Sequence, residues 1–213
     1  MTIPISELYE QFIHGLRATT ALEAVAVFSG IGSVWFSRRE HILVYPVGLV
    51  GTIIYVYISL VAHLPGEAIV NFFYSVMSIY GWYLWSRRNQ QQELVVHITR
   101  SDSTMWRYQL LFFAGCYVLL FLSLTFLHRF FNESIPWADS LASATAFTGM
   151  WLMTRKKVES WYWWIATNIA SVPLYFVKGY VFTSVYYFIL LLMAFWGLRT
   201  WQKKAIAQSV ARP

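Results

Sequence analysis

The sequence predicts an all-α integral membrane protein in which seven transmembrane helices form two parallel three-helix repeats around a linker helix, a 3+1+3 arrangement. Three observations support this fold class. Hydrophobic residues make up 58% of the 213-residue chain and charged residues only 12%, about half the roughly 25% that soluble domains carry. Seven apolar runs reach or approach the length that crosses a hydrocarbon core about 30 Å thick. Finally, two short motifs recur at a nearly constant offset.

The predicted spans are unbroken apolar runs. They cover residues 18–36, 42–62, 68–85, 109–127, 138–153, 160–176 and 181–200, of which the fifth and sixth are short. Barrel strands would alternate apolar and polar residues, so continuous runs indicate helices. The N-terminal segment 1–17 is mixed and polar and lacks the small-residue pattern of a cleavage site. One domain, 18–202, follows it, and a short tail, 203–213, ends the chain.

The basic residues are divided unevenly between the two sides of the predicted bundle. Of the sixteen Lys and Arg, thirteen lie in the loops 37–41, 86–108 and 154–159 and in the chain from Arg199 onward, and three lie on the opposite side. By the positive-inside rule, the N-terminus is outside and the C-terminus is cytoplasmic, in the plasma (inner) membrane. The net charge of +6 therefore indicates orientation in the lipid bilayer and not a nucleic-acid partner.

Two pairs of segments predict an internal repeat. The pattern aromatic-Gly-x-x-x-Trp ends the third span at 80–85 and the seventh at 196–201, an offset of 116 residues, and SRRE at 37–40 corresponds to TRKK at 154–157. Because the first and fifth spans run in the same direction, the repeats are parallel, and a pathway is expected between them near the midplane. The first repeat covers 18–85, the linker helix 109–127 and the second repeat 138–202. The alternative is that an aromatic-Gly-Trp pattern at a span end reflects ordinary interfacial chemistry.

Polar and aromatic residues within the spans are the candidate binding residues. At 100° per residue, the sixth span places several of them on one stripe, and the third span forms another around Asn71 and Trp82. Asp139 and Glu23 are acids inside or just within apolar runs, where a carboxylate is costly and usually faces a cavity or partner. The predicted substrate-binding residues are Trp164, Asn168, Trp161, Asn71, Asp139, Glu23, Trp82 and Tyr175.

Each candidate also has a structural explanation. Trp161 begins its span at the cytoplasmic end, where an aromatic belt needs no ligand. Asn168 can bond between helices, Asp139 can cap the fifth span as its first-turn acid, and Glu23 can pair with a basic residue. Trp163 lies about 100° from Trp164 on the helix, so replacing it should leave the affinity nearly unchanged if it faces lipid.

A cage of indoles and phenols with a few amides suits a flat, cationic ring. Cation–π attraction contributes about 2 kcal/mol or more once water is excluded, and amides can hydrogen-bond to the polar edge of the ring. An enzyme is not expected. The five histidines are dispersed and form no metal-ligand spacing, and no nucleophile motif or phosphate loop occurs. Neither a metal nor a cofactor is therefore expected. A receptor or scaffold is the more distant alternative, although the cytoplasmic loops are short.

Several motifs, in their order and spacing, resemble the PnuC family of vitamin transporters over about residues 20–202. These are YPVG at 45–48, YGWYLW at 80–85 and WLMTRKKVESW at 151–161. The resemblance implies a SWEET-like 3+1+3 fold, often trimeric, that moves nicotinamide riboside, thiamine or flavin without an energy source. The family's W-x-x-W-x-x-x-[ND] binding motif falls on Trp161, Trp164 and Asn168.

Two departures from the family pattern bear on the substrate. Nicotinamide riboside members usually carry Gln where this sequence has Asn71 and Met150. Shortening one amide and losing the other removes hydrogen bonds that would suit a ribose or carboxamide. The sequence around Asn71 is more similar to the thiamine branch, called PnuT, and thiamine has a permanently charged thiazolium. The expected function is facilitated uptake of thiamine, with nicotinamide riboside as the alternative.

Overall fold

The computed structural model describes residues 5–62, 64–130 and 135–210. Eight helices form within these ranges: α1 (Ile5–Ala18), α2 (Ala21–Arg39), α3 (Val44–Val61), α4 (Pro65–Ser86), α5 (Ser103–Leu127), α6 (Pro136–Thr154), α7 (Ser160–Val177) and α8 (Val181–Val210). Helices α2 to α8 each coincide with one predicted span. The ends of the predicted N-terminal segment and tail, residues 1–4 and 211–213, lie outside the described residues.

Two helical stretches were not predicted from the apolar runs. The polar segment before the first span forms α1, which packs against α8 with the rings of Phe12 and Phe182 5.9 Å apart. Helix α8 continues ten residues beyond the predicted end at 200, because its last turns are polar but still helix-favouring. Hydropathy detects lipid-facing runs and not these amphipathic or polar extensions.

The number of helices that are long and apolar enough to span a membrane is smaller than the seven spans predicted above. Within the described residues, three helices are long and apolar enough to cross a membrane: Val44–Val61, Ser103–Leu127 and Val181–Val210. A fourth is added if Tyr9–Arg17 and Ala21–Arg39, bent by 108°, are counted as one span. The seven-span count therefore stays a prediction.

The helices pack in chain order within two groups. Helix α3 lies between α2 and α4, and α7 lies between α6 and α8, while α5 packs on α6. Contacts of α4 with α6 and of α2 with α8 join the groups. The loops rich in Lys and Arg lie where α2, α4 and α6 end and α3, α5 and α7 begin, which we call the basic end of the bundle. The other end is called the opposite end.

The motifs that recur in the sequence make reciprocal contacts at the basic end. The indole Nε1 of Trp85 donates to the carbonyl of Thr154 at 3.1 Å, and Nε1 of Trp201 donates to the carbonyl of Ser37 at 3.0 Å. The two tryptophans are 116 residues apart and the two acceptors 117. The last helix of each predicted repeat is thus bonded to the end of the other repeat's first helix.

The glycines of the same motif accommodate large rings. A Cβ on Gly81 would overlap the phenol of Tyr45, and a Cβ on Gly197 would overlap the indole of Trp161. These two rings are again 116 residues apart, and each meets the motif tryptophan edge-on, at 5.1 Å for Tyr45 and 5.6 Å for Trp161. The glycine and the last tryptophan of the motif therefore form buried packing, whereas its first aromatic, Tyr80 or Trp196, is 40% or 52% exposed.

Candidate functional site

The ring of Trp164 lies where α4, α6 and α7 meet. It faces Tyr74 of α4, with ring centroids 6.1 Å apart. A Cβ built on Gly149 of α6 would lie 3.3 Å from the indole, so the absence of a side chain there lets the ring approach the helix. Tyr74 also meets Phe147 of α6 edge-on at 6.2 Å. Aromatic faces from three helices thus converge on one place.

Asn168 follows Trp164 by one helical turn and is only 3% exposed. No side-chain hydrogen bond among the described residues involves its carboxamide, and the polar atoms that are fully buried there without a partner lie on other residues, the indole Nε1 of Trp161 and the hydroxyl of Tyr45 among them. Its neighbour Thr167 instead bonds to the hydroxyl of Thr145 at 3.0 Å and joins α7 to α6. Because buried amides are normally hydrogen-bonded, an unpartnered one beside an aromatic cluster is suited to binding a ligand.

A second aromatic group lies toward the opposite end. The rings of Tyr175 and Tyr187 stack at 5.1 Å with an interplanar angle of 12°. The hydroxyl of Tyr175 donates to the carboxylate of Glu67 at 3.3 Å. Asn71 directs its amide at the backbone of its own helix, donating to the carbonyl of Glu67 at 2.9 Å. Of the predicted residues, Tyr175 and Asn71 are therefore grouped around Glu67, apart from Trp164 and Asn168.

The two predicted acids have local structural partners. Asp139 forms an ion pair with Lys178 at 2.7 Å and accepts from the amide of Ile135 at 2.6 Å. Ten residues separate Asp139 from Gly149, which places it about 15 Å along α6 from the Trp164 ring. Glu23 completes a capping box with Thr20 at the start of α2. Both carboxylates thus complete helix starts, and their part in substrate binding stays a prediction.

The other tryptophans lie in three different surroundings, and the binding roles predicted for Trp161 and Trp82 stay predictions. Trp161 is 1% exposed and packs against Gly197 of α8, and its buried indole Nε1 has no hydrogen-bond partner among the described residues. Trp82 is 42% exposed and makes no ring contact with another described residue. Trp163 does not face lipid: its Nε1 donates to the fully buried Gln109 of α5 at 3.0 Å, and its ring lies 5.1 Å from Phe113.

Sequence reasoning did not select Glu67, Tyr187 or Gln109. Glu67 stands one residue before the predicted start of the third span, so it was assigned to a loop, although an acid directly before an apolar run was a usable signal. Tyr187 lies in a run of apolar and aromatic residues without a polar stripe. Among the described residues, no group of three or more His, Cys, Asp or Glu side chains is placed to hold a metal ion.

Apolar helices that enclose converging aromatic rings are typical of an α-helical membrane protein, and the comparisons place the chain among transporters of small solutes. The chain belongs to the PnuC family: the family model described as "Nicotinamide mononucleotide transporter" matches residues 20–203.

Relatives and a solved structure agree with this assignment. The chain is 27% identical over 211 residues to the nicotinamide riboside transporter PnuC of Escherichia coli (strain K12), covering 86% of each chain. It is 24% identical over 172 residues to the riboflavin/roseoflavin transporter RibM of Streptomyces davaonensis, covering 81% of this chain and 80% of RibM. The fold is similar to a crystal structure of the vitamin B3 transporter PnuC, with a TM-score of 0.68 and 21% identity over 94% of this chain and 88% of that one.

Proposed function

We propose that this protein carries a vitamin with a flat, positively charged ring across the membrane by facilitated diffusion. The observation that carries the proposal is the carboxamide of Asn168, a residue only 3% exposed, one helical turn from Trp164, whose ring lies 6.1 Å from that of Tyr74. The rings supply cation–π attraction, and the amide supplies a hydrogen bond to the polar edge of the solute. Together they account for a ligand that is both charged and aromatic.

Nicotinamide riboside is the first substrate to test. Its pyridinium is cationic, and its carboxamide can exchange two hydrogen bonds with an asparagine. The names of the relatives, which refer to nicotinamide riboside and to riboflavin, support this reading over the thiamine reading that the sequence favoured.

Thiamine remains the second candidate because of two side chains. Asn71 donates to its own helix, and Met150 packs against the apolar cluster around Trp161. Neither residue therefore offers a free amide that could hydrogen-bond to the ribose of nicotinamide riboside. Thiamine has no ribose, so it does not need such an amide.

We further propose the seven-span 3+1+3 arrangement for the membrane topology, with the basic end in the cytoplasm. The reciprocal bonds of Trp85 and Trp201 support two equivalent halves, and the thirteen-to-three division of basic residues supports the orientation. The location would then be the inner membrane, and the family resemblance suggests a homotrimer.

A binding and flux panel tests the proposal. Purified protein is titrated calorimetrically with nicotinamide riboside, thiamine, riboflavin and the monophosphates of the first two, with an Asn168→Leu variant as the matched control. Liposomes without an ion gradient then report uptake of whichever vitamin binds. Binding of one cationic vitamin that Asn168→Leu weakens, with flux down its gradient, is the expected result. Wild-type protein that binds none of them would overturn the proposal.

A further inference from the structure

We propose that a groove between α5 and α6 at the basic end binds an anionic phospholipid. The groove has a volume of about 580 Å³, and its walls are formed by Met105, Tyr108, Leu111, Phe112, Trp151 and Arg155. Five of these side chains are apolar or aromatic, and the sixth is a cation. A phospholipid has the same two parts, acyl chains and a charged phosphate. None of the six residues belongs to the candidate site, so this inference does not depend on the solute that is carried.

The guanidinium of Arg155 is held beside the groove by aromatic rings. Its central carbon lies 4.9 Å from the centroid of the Trp151 ring, and Trp151 stacks on Phe112 of α5 at 5.0 Å. Among the described residues, the Arg155 side chain makes no hydrogen bond and no ion pair with a carboxylate. Its N–H donors are therefore available to a phosphate, which a guanidinium can bind through two parallel hydrogen bonds.

The apolar walls of the groove face away from the rest of the bundle. Tyr108 is 59% exposed and Leu111 is 69% exposed. Helix α5 is long and apolar enough to cross a membrane and packs mainly on α6, so its exposed side chains would meet acyl chains in a bilayer. Tyr108 lies one turn nearer to the start of α5 than Leu111 and Phe112, and tyrosines are enriched at the level of lipid headgroups. A lipid with its phosphate at Arg155 would therefore extend an acyl chain along Leu111 and Phe112.

The charges at the basic end favour an anionic lipid over a zwitterionic one. The loops and the tail at this end carry thirteen Lys and Arg but only four Asp and Glu. The carboxylates of all four acids accept hydrogen bonds from other groups of the protein; these acids are Glu40, Glu93, Asp102 and Glu159. Cations near a membrane attract anionic headgroups, whereas a zwitterionic lipid would bring its own ammonium group into an already positive region.

A second copy of this chain is the competing occupant of the groove. An interface there would bring the basic-end segments of two copies together, each with the same excess of cations. Like charges that face each other across an interface oppose association, and the guanidinium of Arg155 would still lack an anion. The charge pattern therefore favours a lipid over a second copy.

The affinities of two lipids for the purified full-length protein test the site. The probes are dioleoyl phosphatidylglycerol, which is anionic, and dioleoyl phosphatidylcholine, which is zwitterionic and has the same acyl chains. Native mass spectrometry of the protein in detergent gives the dissociation constant of each lipid. We expect wild-type protein to bind phosphatidylglycerol about fivefold more tightly, which is the preference that one cation near an anionic headgroup provides.

Three variants separate the groove from the general charge of the basic end. Arg155→Gln removes the guanidinium and should abolish the preference for phosphatidylglycerol. Arg87→Gln is the matched control and should keep it: Arg87 also follows the last residue of its helix and lies 5.6 Å from the ring centroid of Tyr83, but it does not line the groove. Leu111→Trp fills the groove without changing the charge and should weaken the binding of both lipids.

A preference for phosphatidylglycerol that is lost in Arg155→Gln and kept in Arg87→Gln is the expected result. Equal binding of the two lipids by wild-type protein, or an equal loss in both arginine variants, would overturn the site. If Leu111→Trp changes the oligomeric state in size-exclusion chromatography with light scattering and leaves lipid binding unchanged, the groove belongs to a second copy and the lipid site is overturned as well. No vitamin is present in these measurements, so a negative result would leave the transport proposal intact.

Discussion

Replacing Trp164 by alanine should weaken vitamin binding more than any other substitution on the face of α7 that it shares with Asn168. The substitution removes the indole that faces Tyr74 and leaves Asn168 in place. An aromatic contact with a desolvated cation contributes about 2 kcal/mol, which corresponds to about a thirtyfold rise in Kd. Asn168→Leu should also weaken binding, because the polar edge of the ring would face an apolar side chain in a dry site.

The adjacent tryptophan provides a matched control. Trp163 donates to Gln109, which is fully buried, so Trp163→Phe keeps a ring beside Phe113 but leaves an amide oxygen without its donor. Leaving a buried acceptor unsatisfied costs about 1–3 kcal/mol of stability. Trp163→Phe should therefore lower the free energy of unfolding while the vitamin affinity stays near that of wild type.

Isothermal titration gives the affinities, and thermal unfolding in the same detergent gives the stabilities. The reasoning requires the two variants to separate: affinity lost in Trp164→Ala, stability lost in Trp163→Phe. Similar small affinity losses in both would mean that the aromatics form a membrane belt. A large affinity loss in Trp163→Phe alone would mean that the vitamin binds on the α5 side of α7.

Three further predictions follow from the charge pattern and the packing. An alkaline phosphatase fused after the C-terminus should be inactive, because thirteen of sixteen basic residues lie on that side; an active fusion would contradict the topology. The monophosphate of the transported vitamin should bind about tenfold or more weakly in calorimetry, because the predicted spans carry no excess of cationic side chains to receive a buried phosphate. Gly197→Ala should lower the free energy of unfolding by about 1–3 kcal/mol through overlap with Trp161, whereas Gly115→Ala, where a Cβ meets nothing within 4 Å, should not.

The sequence predicted the helices well because their positions depend on a local property. Each of α2 to α8 overlaps an apolar run, since the bilayer selects runs of apolar residues whatever their partners. Helix starts follow local chemistry too: Asp102 caps α5 at the amide of Met105, so the helix begins at Ser103, six residues before the predicted start at 109. Helix α1 was missed because an amphipathic helix carries no such run, and its position depends on the Phe12–Phe182 contact with α8.

The site was predicted less completely because facing directions depend on neighbouring helices. Periodicity places Trp164 and Asn168 on one stripe and Trp163 on another, but it does not say which stripe meets α5. The hydrogen bond from Trp163 to Gln109 shows that the Trp163 stripe faces α5, and the two residues are 54 positions apart in the sequence. Glu67 and Tyr175 are 108 residues apart, so no local pattern could join them.

The contacts at the two ends of the bundle bear on how a solute could pass without an energy source. At the basic end, Trp85 and Trp201 each make one bond to a carbonyl, and the buried Lys156 pairs with Glu40 at 2.9 Å. The other end is joined by Lys178 with Asp139 and by Tyr175 with Glu67. A hydrogen bond of this kind contributes only about 0.5–1.5 kcal/mol net, and a buried ion pair loses much of its attraction to desolvation. At the basic end, the larger part of the cohesion therefore comes from the buried rings of Tyr45, Trp85, Trp161 and Trp201, which pack in one cluster. The facilitated diffusion proposed above requires the two ends to open in turn, so that the concentration of the vitamin alone sets the direction of net flow.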